Sequence, residues 1–190
     1  MIVANIPAKF SWRYILNFMH TRKGLLEAVV FSGGEPLLQK DLPQAIAQIR
    51  EMGFKIGIHT AGSIPQRFQE ILTMVDWVGF DIKDLANSCD DITQVKHSGK
   101  KNWQSLAMLL DAQVEYQCRT TIHWQLIDED RLIKLTQKLA AMGVINYAIQ
   151  FARTTIMHDK KLGHSTKAAD KIAYLQARLQ NILPSIIFSS

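Results

Sequence analysis

Short β-branched and apolar runs alternate along this chain with longer stretches in which apolar residues recur at helical spacing. The alternation predicts strands joined by crossover helices, and such connections are typical of a parallel sheet. Six strand-like segments are predicted, ending at Phe31, His59, Asp81, Thr121, Phe151 and Phe188. The pattern therefore predicts an α/β fold, in which the sheet is either open or closed.

Capping residues and prolines mark the predicted helices. Ser11 is a suitable N-cap for a first helix that runs to about Arg22. Asp41 is predicted to cap the next helix, with Pro43 in its first turn and Gly53 just beyond its end. Further helices are predicted at 65–74, 102–112, 128–143 and 166–183, with polar loops around Cys89 and over 152–165.

Length and composition indicate one globular domain over residues 1–190. A hydrophobic content of 47% with 21% charged residues is ordinary for a soluble protein. No apolar run approaches the roughly 20 residues that span a bilayer, and the N-terminus lacks the features of a signal peptide. We therefore expect a cytoplasmic protein with no membrane association.

Charge and cysteine content narrow the function further. The formal net charge is +5, but the basic residues are scattered instead of forming a stripe interleaved with aromatic residues, so we expect no nucleic-acid partner. Cys89 and Cys118 are the only cysteines, and neither has a neighbour at ligand spacing. No metal site is predicted from them.

Polar and charged side chains stand at the ends of consecutive predicted strands, where parallel sheets bind their ligands. Each has a structural interpretation by itself: Asp81 and Lys83 could form only a salt bridge, and the histidines could be structural. Their joint position favours a ligand site that offers mixed donors and acceptors. The set comprises Glu35, His59, Thr60, Asp81, Lys83, Arg119, His123 and Gln150.

The loop after the first strand carries the most specific motif, FSGGEP at residues 31–36. It resembles the Gly-Gly-Glu-Pro motif of radical S-adenosylmethionine (radical SAM) enzymes. The ordered strings VVFSGGEP, GFKIGIHTAGS, VDWVGFDIKD and YQCRTTIH are similar to those of the activating enzymes of anaerobic ribonucleotide reductase and, more loosely, of pyruvate formate-lyase. The resemblance covers nearly the whole chain.

The resemblance implies a partial (β/α) barrel with outer helices that lacks its first strand, so that the domain is truncated at the N-terminus. It implies S-adenosylmethionine as cofactor, and a 4Fe-4S cluster whose Cys-x3-Cys-x2-Cys ligands are absent from these 190 residues. Residues 2–7 would be the end of the cluster loop. The implied cofactor-binding residues are Gly33, Gly34, Glu35, Thr60, Asp81, Lys83, Arg119 and Gln150.

The implied activity is cleavage of S-adenosylmethionine to a 5′-deoxyadenosyl radical, which takes a hydrogen atom from a glycine of a partner enzyme. The implied partners are a glycyl-radical enzyme, such as anaerobic ribonucleotide reductase, and an electron donor such as flavodoxin. Two alternatives stay open. One is a cluster-free domain that binds a nucleotide-like ligand or a protein without catalysis, and the other is a βα-barrel aldolase using Lys83 as a Schiff-base amine.

Overall fold

A computed structural model of the chain describes residues 10–152 and 168–189. Its strands form a six-stranded sheet whose order follows the chain, β1-β2-β3-β4-β5-β6, and every strand pair with a described register is parallel. This confirms the predicted α/β fold with a parallel sheet. The strands are β1 (Ala28–Phe31), β2 (Lys55–Thr60), β3 (Trp77–Asp81), β4 (Glu115–Ile122), β5 (Tyr147–Phe151) and β6 (Ile187–Ser189).

Seven α-helices are found in the described parts of the chain, and a 3₁₀ turn, Pro36–Leu38, follows β1. No helix in residues 10–152 and 168–189 is both long and apolar enough to cross a membrane. The helices are α1 (Trp12–His20), α2 (Leu42–Glu51), α3 (Pro65–Leu72), α4 (Cys89–Thr93), α5 (Ser98–Asp111), α6 (Glu129–Ala141) and α7 (Ala169–Ile182).

The predicted caps have different outcomes. The Ser11 side chain accepts a hydrogen bond from Tyr14 N, and the Asp128 side chain accepts one from Arg131 N, so both cap their helices as expected. Asp41 stands at the N-cap position of α2, but its side chain makes no capping hydrogen bond. At that helix the proline in the first turn supplies the start signal.

The chain falls into two compact units. The first comprises Met1–Phe80 and Gln104–Tyr116. Within it β1 pairs with β2 and β2 with β3, and one face of these strands is buried by apolar side chains such as Ile56, Ile58 and Phe80. Phe68 of α3 packs against Phe80 with ring centroids 5.7 Å apart.

The second unit comprises Asp81–Trp103 and Gln117–Ser190. Its core contains the fully buried Cys118 and Tyr147, which are paired in register between β4 and β5. The Tyr147 hydroxyl donates a 2.8 Å hydrogen bond to Thr120 Oγ1. Burial raises the pKa of Tyr147 well above its usual value, since the phenolate would lose its hydration there.

Two predicted boundaries are corrected. Cys89 lies not in a polar loop but at the start of the short helix α4, where it is buried. Helix α5 begins at Ser98, four residues before the predicted start, because the Asp90 carboxylate accepts hydrogen bonds from Ser98 Oγ (2.9 Å) and Gly99 N (3.2 Å). The bond from Gly99 N, followed by that from the Ser98 hydroxyl, lowers the pKa of Asp90.

Some predictions concern residues outside the described ranges. These are the cluster-loop remnant at 2–7, nearly all of the polar loop at 152–165, and the first residues of the helix predicted at 166–183. The described part of that helix begins at Ala169. The assignment of residues 1–190 to one domain stays a prediction.

Candidate functional site

The loop after β1 has a backbone that only glycine adopts readily. Gly33 has φ +91° and Gly34 has φ +52°, and both residues are exposed. A Cβ added at Gly33 would meet no atom within 4 Å, so conformation and not crowding favours glycine there. The glycines turn the chain from β1 into the 3₁₀ turn, leaving an open stretch of backbone at the strand end.

The Glu35 carboxylate fixes this loop to the end of β2. Its Oε1 accepts hydrogen bonds from Thr60 Oγ1 (2.6 Å) and Leu37 N (3.2 Å), and its Oε2 accepts one from Ala61 N (3.0 Å). Glu35 is buried, so the carboxylate exchanges its hydration for these three donors. Glu35 therefore shapes the site from within the fold.

Hydrogen bonds to Thr60 and Ser105 fix the loop that follows β2. Thr60 Oγ1 accepts a 2.9 Å hydrogen bond from Gly62 N, and Ser105 Oγ donates a 2.7 Å hydrogen bond to Gly62 O. Ser105 is fully buried. Together with Glu35 these contacts form the first cluster, which belongs to the first unit and comprises Gly33, Gly34, Glu35, Thr60 and Ser105.

Asp81, Lys83 and Arg119 form the second cluster, in the second unit. Asp81 Oδ1 accepts hydrogen bonds from Arg119 Nε (3.1 Å) and Nη2 (2.8 Å), and Asp81 Oδ2 pairs with Lys83 Nζ at 3.2 Å. The Arg119 side chain is 13% exposed, whereas those of Asp81 and Lys83 are about one third exposed. Two cations around one carboxylate leave the cluster with a net positive charge.

Gln150 is half-buried on β5, in register with Thr121 of β4 and Ser189 of β6. Because neighbouring strand positions in register share a face, the three polar side chains form a row on one face of the sheet. Arg119, two residues before Thr121 on β4, lies on the same face. Gln150 thus stands on the same face of this unit as the second cluster.

The histidines have structural partners. His59 Nδ1 lies 3.4 Å from Ser32 Oγ, and the His59 ring meets the Trp77 ring edge-on at 5.4 Å. His123 is buried, and its Nδ1 accepts a 3.3 Å hydrogen bond from Gln125 N. Each contact supports the structural interpretation of these residues.

Four buried or half-buried residues near the second cluster were not predicted. Asn102 Nδ2 donates to Asp81 O and Trp103 Nε1 donates to Asp84 O, each at 2.9 Å. Asp84 is fully buried and forms an ion pair with Arg131. Asp84 directly follows Lys83 and could have been noticed there, but nothing local in the sequence marks the other three.

The two thiols do not suit an iron–sulfur cluster. Cluster iron binds thiolates, but burial raises the pKa of Cys118 to about 12 and also raises that of Cys89. Within residues 10–152 and 168–189, no group of three His, Cys, Asp or Glu side chains could hold a metal ion. The described residues therefore do not fit this cofactor. Each cluster by itself offers groups that bind polar parts of a small ligand: open backbone in the first cluster, and the Arg119 and Lys83 cations beside Asp81 in the second.

Comparison with known proteins gives a consistent result. The model of the radical SAM superfamily matches residues 11–136. A Methanocaldococcus jannaschii protein named as a glycyl-radical enzyme activating enzyme is 29% identical over 131 residues, which are 65% of this chain and 54% of that protein. A 7-carboxy-7-deazaguanine synthase of Thermococcus kodakarensis is 26% identical over 105 residues, 48% of this chain and 42% of the enzyme. The chain thus spans about half the length of these relatives.

Solved structures share the fold. A domain of a pyruvate-formate lyase-activating enzyme from Bacteroides vulgatus superposes with a TM-score of 0.66 at 17% identity, covering 86% of this chain and 99% of that domain. Streptococcus suis SuiB bound to S-adenosylmethionine gives a TM-score of 0.70 at 12% identity, covering 96% of this chain and 44% of SuiB. At these identities the likeness concerns the fold alone.

Proposed function

This chain belongs to the radical SAM superfamily, a family of enzymes, and on this premise we propose that it is the S-adenosylmethionine-binding part of a glycyl-radical enzyme activating enzyme. The observation that carries the proposal is the Glu35 carboxylate, which fixes the Gly33–Gly34 loop to Thr60 at the end of β2. The activating-enzyme relative at 29% identity supports the choice within the superfamily.

The first cluster is proposed to receive the ammonium of the methionine moiety. The open backbone at Gly33 and Gly34 offers carbonyl acceptors to a cation, and glycine lets the ligand approach closely. Glu35 adds negative charge beneath the loop while its oxygens stay hydrogen-bonded within the fold. Thr60 holds the strand end against which the loop is fixed.

The second cluster is proposed to receive the carboxylate and the ribose. Arg119 and Lys83 supply the positive charge that a carboxylate needs, and Asp81 supplies acceptor oxygens for hydroxyl groups. Gln150 adds an amide on the same face. The Asp81 ion pairs keep both cations oriented before a ligand arrives, which reduces the ordering cost of binding.

The activity proposed for the whole protein is hydrogen abstraction from a glycine of a partner enzyme, such as anaerobic ribonucleotide reductase. S-Adenosylmethionine supplies the 5′-deoxyadenosyl group for this reaction when it is cleaved by reduction. The described residues do not fit the iron–sulfur cluster, so binding is what we propose for these residues. An electron donor such as flavodoxin and a cytoplasmic location belong to the same proposal.

Isothermal titration of the purified chain with S-adenosylmethionine tests the proposal. We expect binding, with adenosine and ATP much weaker because they lack the methionine moiety, whose ammonium and carboxylate are the charged groups proposed to be recognised. Equal affinity for adenosine and S-adenosylmethionine would favour the alternative, a domain for nucleotide-like ligands. No binding of any of the three would contradict both functions.

The aldolase alternative has less support. A Schiff-base lysine acts as a neutral amine in an apolar or cationic surrounding, whereas Lys83 is paired with Asp81 at 3.2 Å. Borohydride trapping of a carbonyl substrate on Lys83 would revive this alternative.

A further inference from the structure

Arg131 of α6 connects two loops that follow neighbouring strands in the chain. Its Nη2 donates a 3.1 Å hydrogen bond to Ser88 O and forms an ion pair with Asp84 Oδ2, both in the segment after β3. Its Nη1 donates a 3.3 Å hydrogen bond to Leu126 O, in the segment after β4. The Arg131 guanidinium therefore contacts two acceptors in the loop after β3 and one in the loop after β4.

The buried Asp84 carboxylate needs the positive charge of Arg131 beside it. Its side chain is fully buried, and Oδ1 accepts a 2.7 Å hydrogen bond from Leu85 N. Within the described residues, Arg131 is the one cation in ion-pair contact with Asp84. A buried carboxylate without a counter-charge is strongly unfavourable. Asp84 and Arg131 consequently hold each other in place.

The main chain between Asp81 and Asp84 is held at both of its ends. Asn102 donates to the carbonyl of Asp81, and Trp103 donates to the carbonyl of Asp84. Lys83 lies inside this short stretch. The direction in which its ammonium points depends on the geometry of a backbone that cannot move freely at either end.

We propose that Arg131 is a positioning residue for Lys83. Through Asp84 and Ser88 it fixes the backbone that carries the Lys83 ammonium, and no hydrogen bond or ion pair within the described residues joins its side chain to Lys83. The expected effect of Arg131 on the affinity for S-adenosylmethionine rests on the proposed function. The effect of Arg131 on the position of Lys83 does not, because it can be measured without a ligand.

The substitution Arg131→Lys is the first test, because lysine keeps a positive charge for Asp84 but cannot reach three acceptors with a planar fork. A second variant, Asp84→Asn combined with Arg131→Leu, removes both charges in case the single variant folds poorly. Arg50→Lys is the matched control. Arg50 also donates to a main-chain carbonyl, of Met74 at 3.1 Å, and pairs with a carboxylate, of Asp76 at 3.0 Å.

Two quantities are measured on each folded variant. The first is the NMR signal of Lys83 after reductive ¹³C-methylation, assigned by its loss in Lys83→Arg, without any ligand. The second is the affinity for S-adenosylmethionine. We expect both Arg131 variants to shift the Lys83 signal and to weaken binding about tenfold, as removal of an outer supporting partner does at other sites. Arg50→Lys is expected to change neither.

A Lys83 signal that stays unchanged in both Arg131 variants would overturn the proposal, even if their melting temperatures fall, because Arg131 would then be structural only. A shifted signal together with unchanged affinity would also overturn it as a statement about the ligand site. If the unaltered chain binds no S-adenosylmethionine, the proposed function fails, and the Lys83 signal still decides whether Arg131 positions that residue.

Discussion

Thr60 Oγ1 donates a 2.6 Å hydrogen bond to Glu35 Oε1 across a separation of 25 residues in the chain. Both side chains are buried, so the bond forms away from water, where a charge-assisted hydrogen bond is strong and a lost one is costly. The contact exists because β1 and β2 are parallel neighbours, which brings the loops after both strands to the same end of the sheet. The glycine loop therefore depends on a side chain of the next strand.

We predict that Glu35→Gln destabilises the fold and abolishes ligand binding. The glutamine amide nitrogen cannot accept a hydrogen bond, so at least one of Leu37 N, Thr60 Oγ1 and Ala61 N loses its partner. One unsatisfied buried donor costs about 1–3 kcal/mol in the free energy of unfolding. Urea denaturation measures this loss.

The control for that experiment is Glu70→Gln, on the exposed side of α3. It removes the same charge, and we expect its free energy of unfolding to stay within about 0.5 kcal/mol of the unaltered chain. Titration with S-adenosylmethionine should show binding for Glu70→Gln and none for Glu35→Gln. Equal stability of the two variants would mean that the three hydrogen bonds contribute little.

A second prediction separates backbone strain from ligand binding. Gly33 and Gly53 have φ values of +91° and +92°, and a Cβ added to either would meet no atom within 4 Å. Gly33→Ala and Gly53→Ala should therefore each destabilise the fold by a similar amount, about 1–2 kcal/mol. Gly53 follows α2, outside both clusters.

Only Gly33→Ala is expected to weaken S-adenosylmethionine binding, because only that methyl group lies on the loop proposed to meet the ammonium. Calorimetric titration and urea denaturation of both variants check the two halves of this prediction. Equal affinity losses in the two alanine variants would show that general destabilisation, and not the loop, controls binding.

Hydrophobic patterning was sufficient to predict the strands and the residues at their ends. The strand Trp77–Asp81 is buried or half-buried at every position. A central parallel strand is covered on both faces, so its sequence is a nearly continuous apolar run. Since the ends of parallel strands gather side chains by geometry, Asp81, Lys83 and Arg119 could be placed near one another from the strand assignments alone.

The supporting contacts could not be predicted in the same way. Ser105, Trp103 and Arg131 are ordinary helix positions in the sequence, and their roles arise only when helices pack beside loops distant in the chain. The start of α5 was missed for a similar reason. Its cap comes from Asp90, eight residues before Ser98, and no local capping rule spans that distance.

A third prediction concerns alkaline pH and Cys118. The pKa of this thiol is raised from about 9.0 to about 12 by burial. Between these values the unfolded chain has lost the proton while the folded chain keeps it, so stability falls as pH rises. Below about pH 9 the thiol is protonated in both states, so the fold loses no stability through it. Between about pH 9 and about pH 12 the loss of stability approaches about 1.4 kcal/mol per pH unit.

Melting temperatures between pH 8 and pH 11 test this, with Cys118→Ala as the comparison. The variant starts from a lower stability because it leaves a small cavity, but its melting temperature should fall less steeply with pH above about 9. Parallel curves for the two proteins would mean that the Cys118 thiol does not contribute to alkaline unfolding.

The last prediction is that the 190-residue chain does not cleave S-adenosylmethionine. Cleavage by this family needs an electron from an iron–sulfur cluster, and the cluster needs thiolates. Cys89 and Cys118 are the only cysteines of the chain, both are buried, and burial raises the pKa of each thiol. Neither is available as a thiolate near neutral pH.

Anaerobic incubation with iron, sulfide, dithionite and S-adenosylmethionine, followed by chromatography of 5′-deoxyadenosine, measures this directly. We expect no 5′-deoxyadenosine above the level of a reaction without protein, and no absorbance typical of a bound cluster. The Cys89→Ala and Cys118→Ala variants should bind S-adenosylmethionine as the unaltered chain does, because neither thiol belongs to the two clusters. Formation of 5′-deoxyadenosine that disappears in either variant would show that the buried cysteines can reach iron, and the assignment of these residues to binding alone would be wrong.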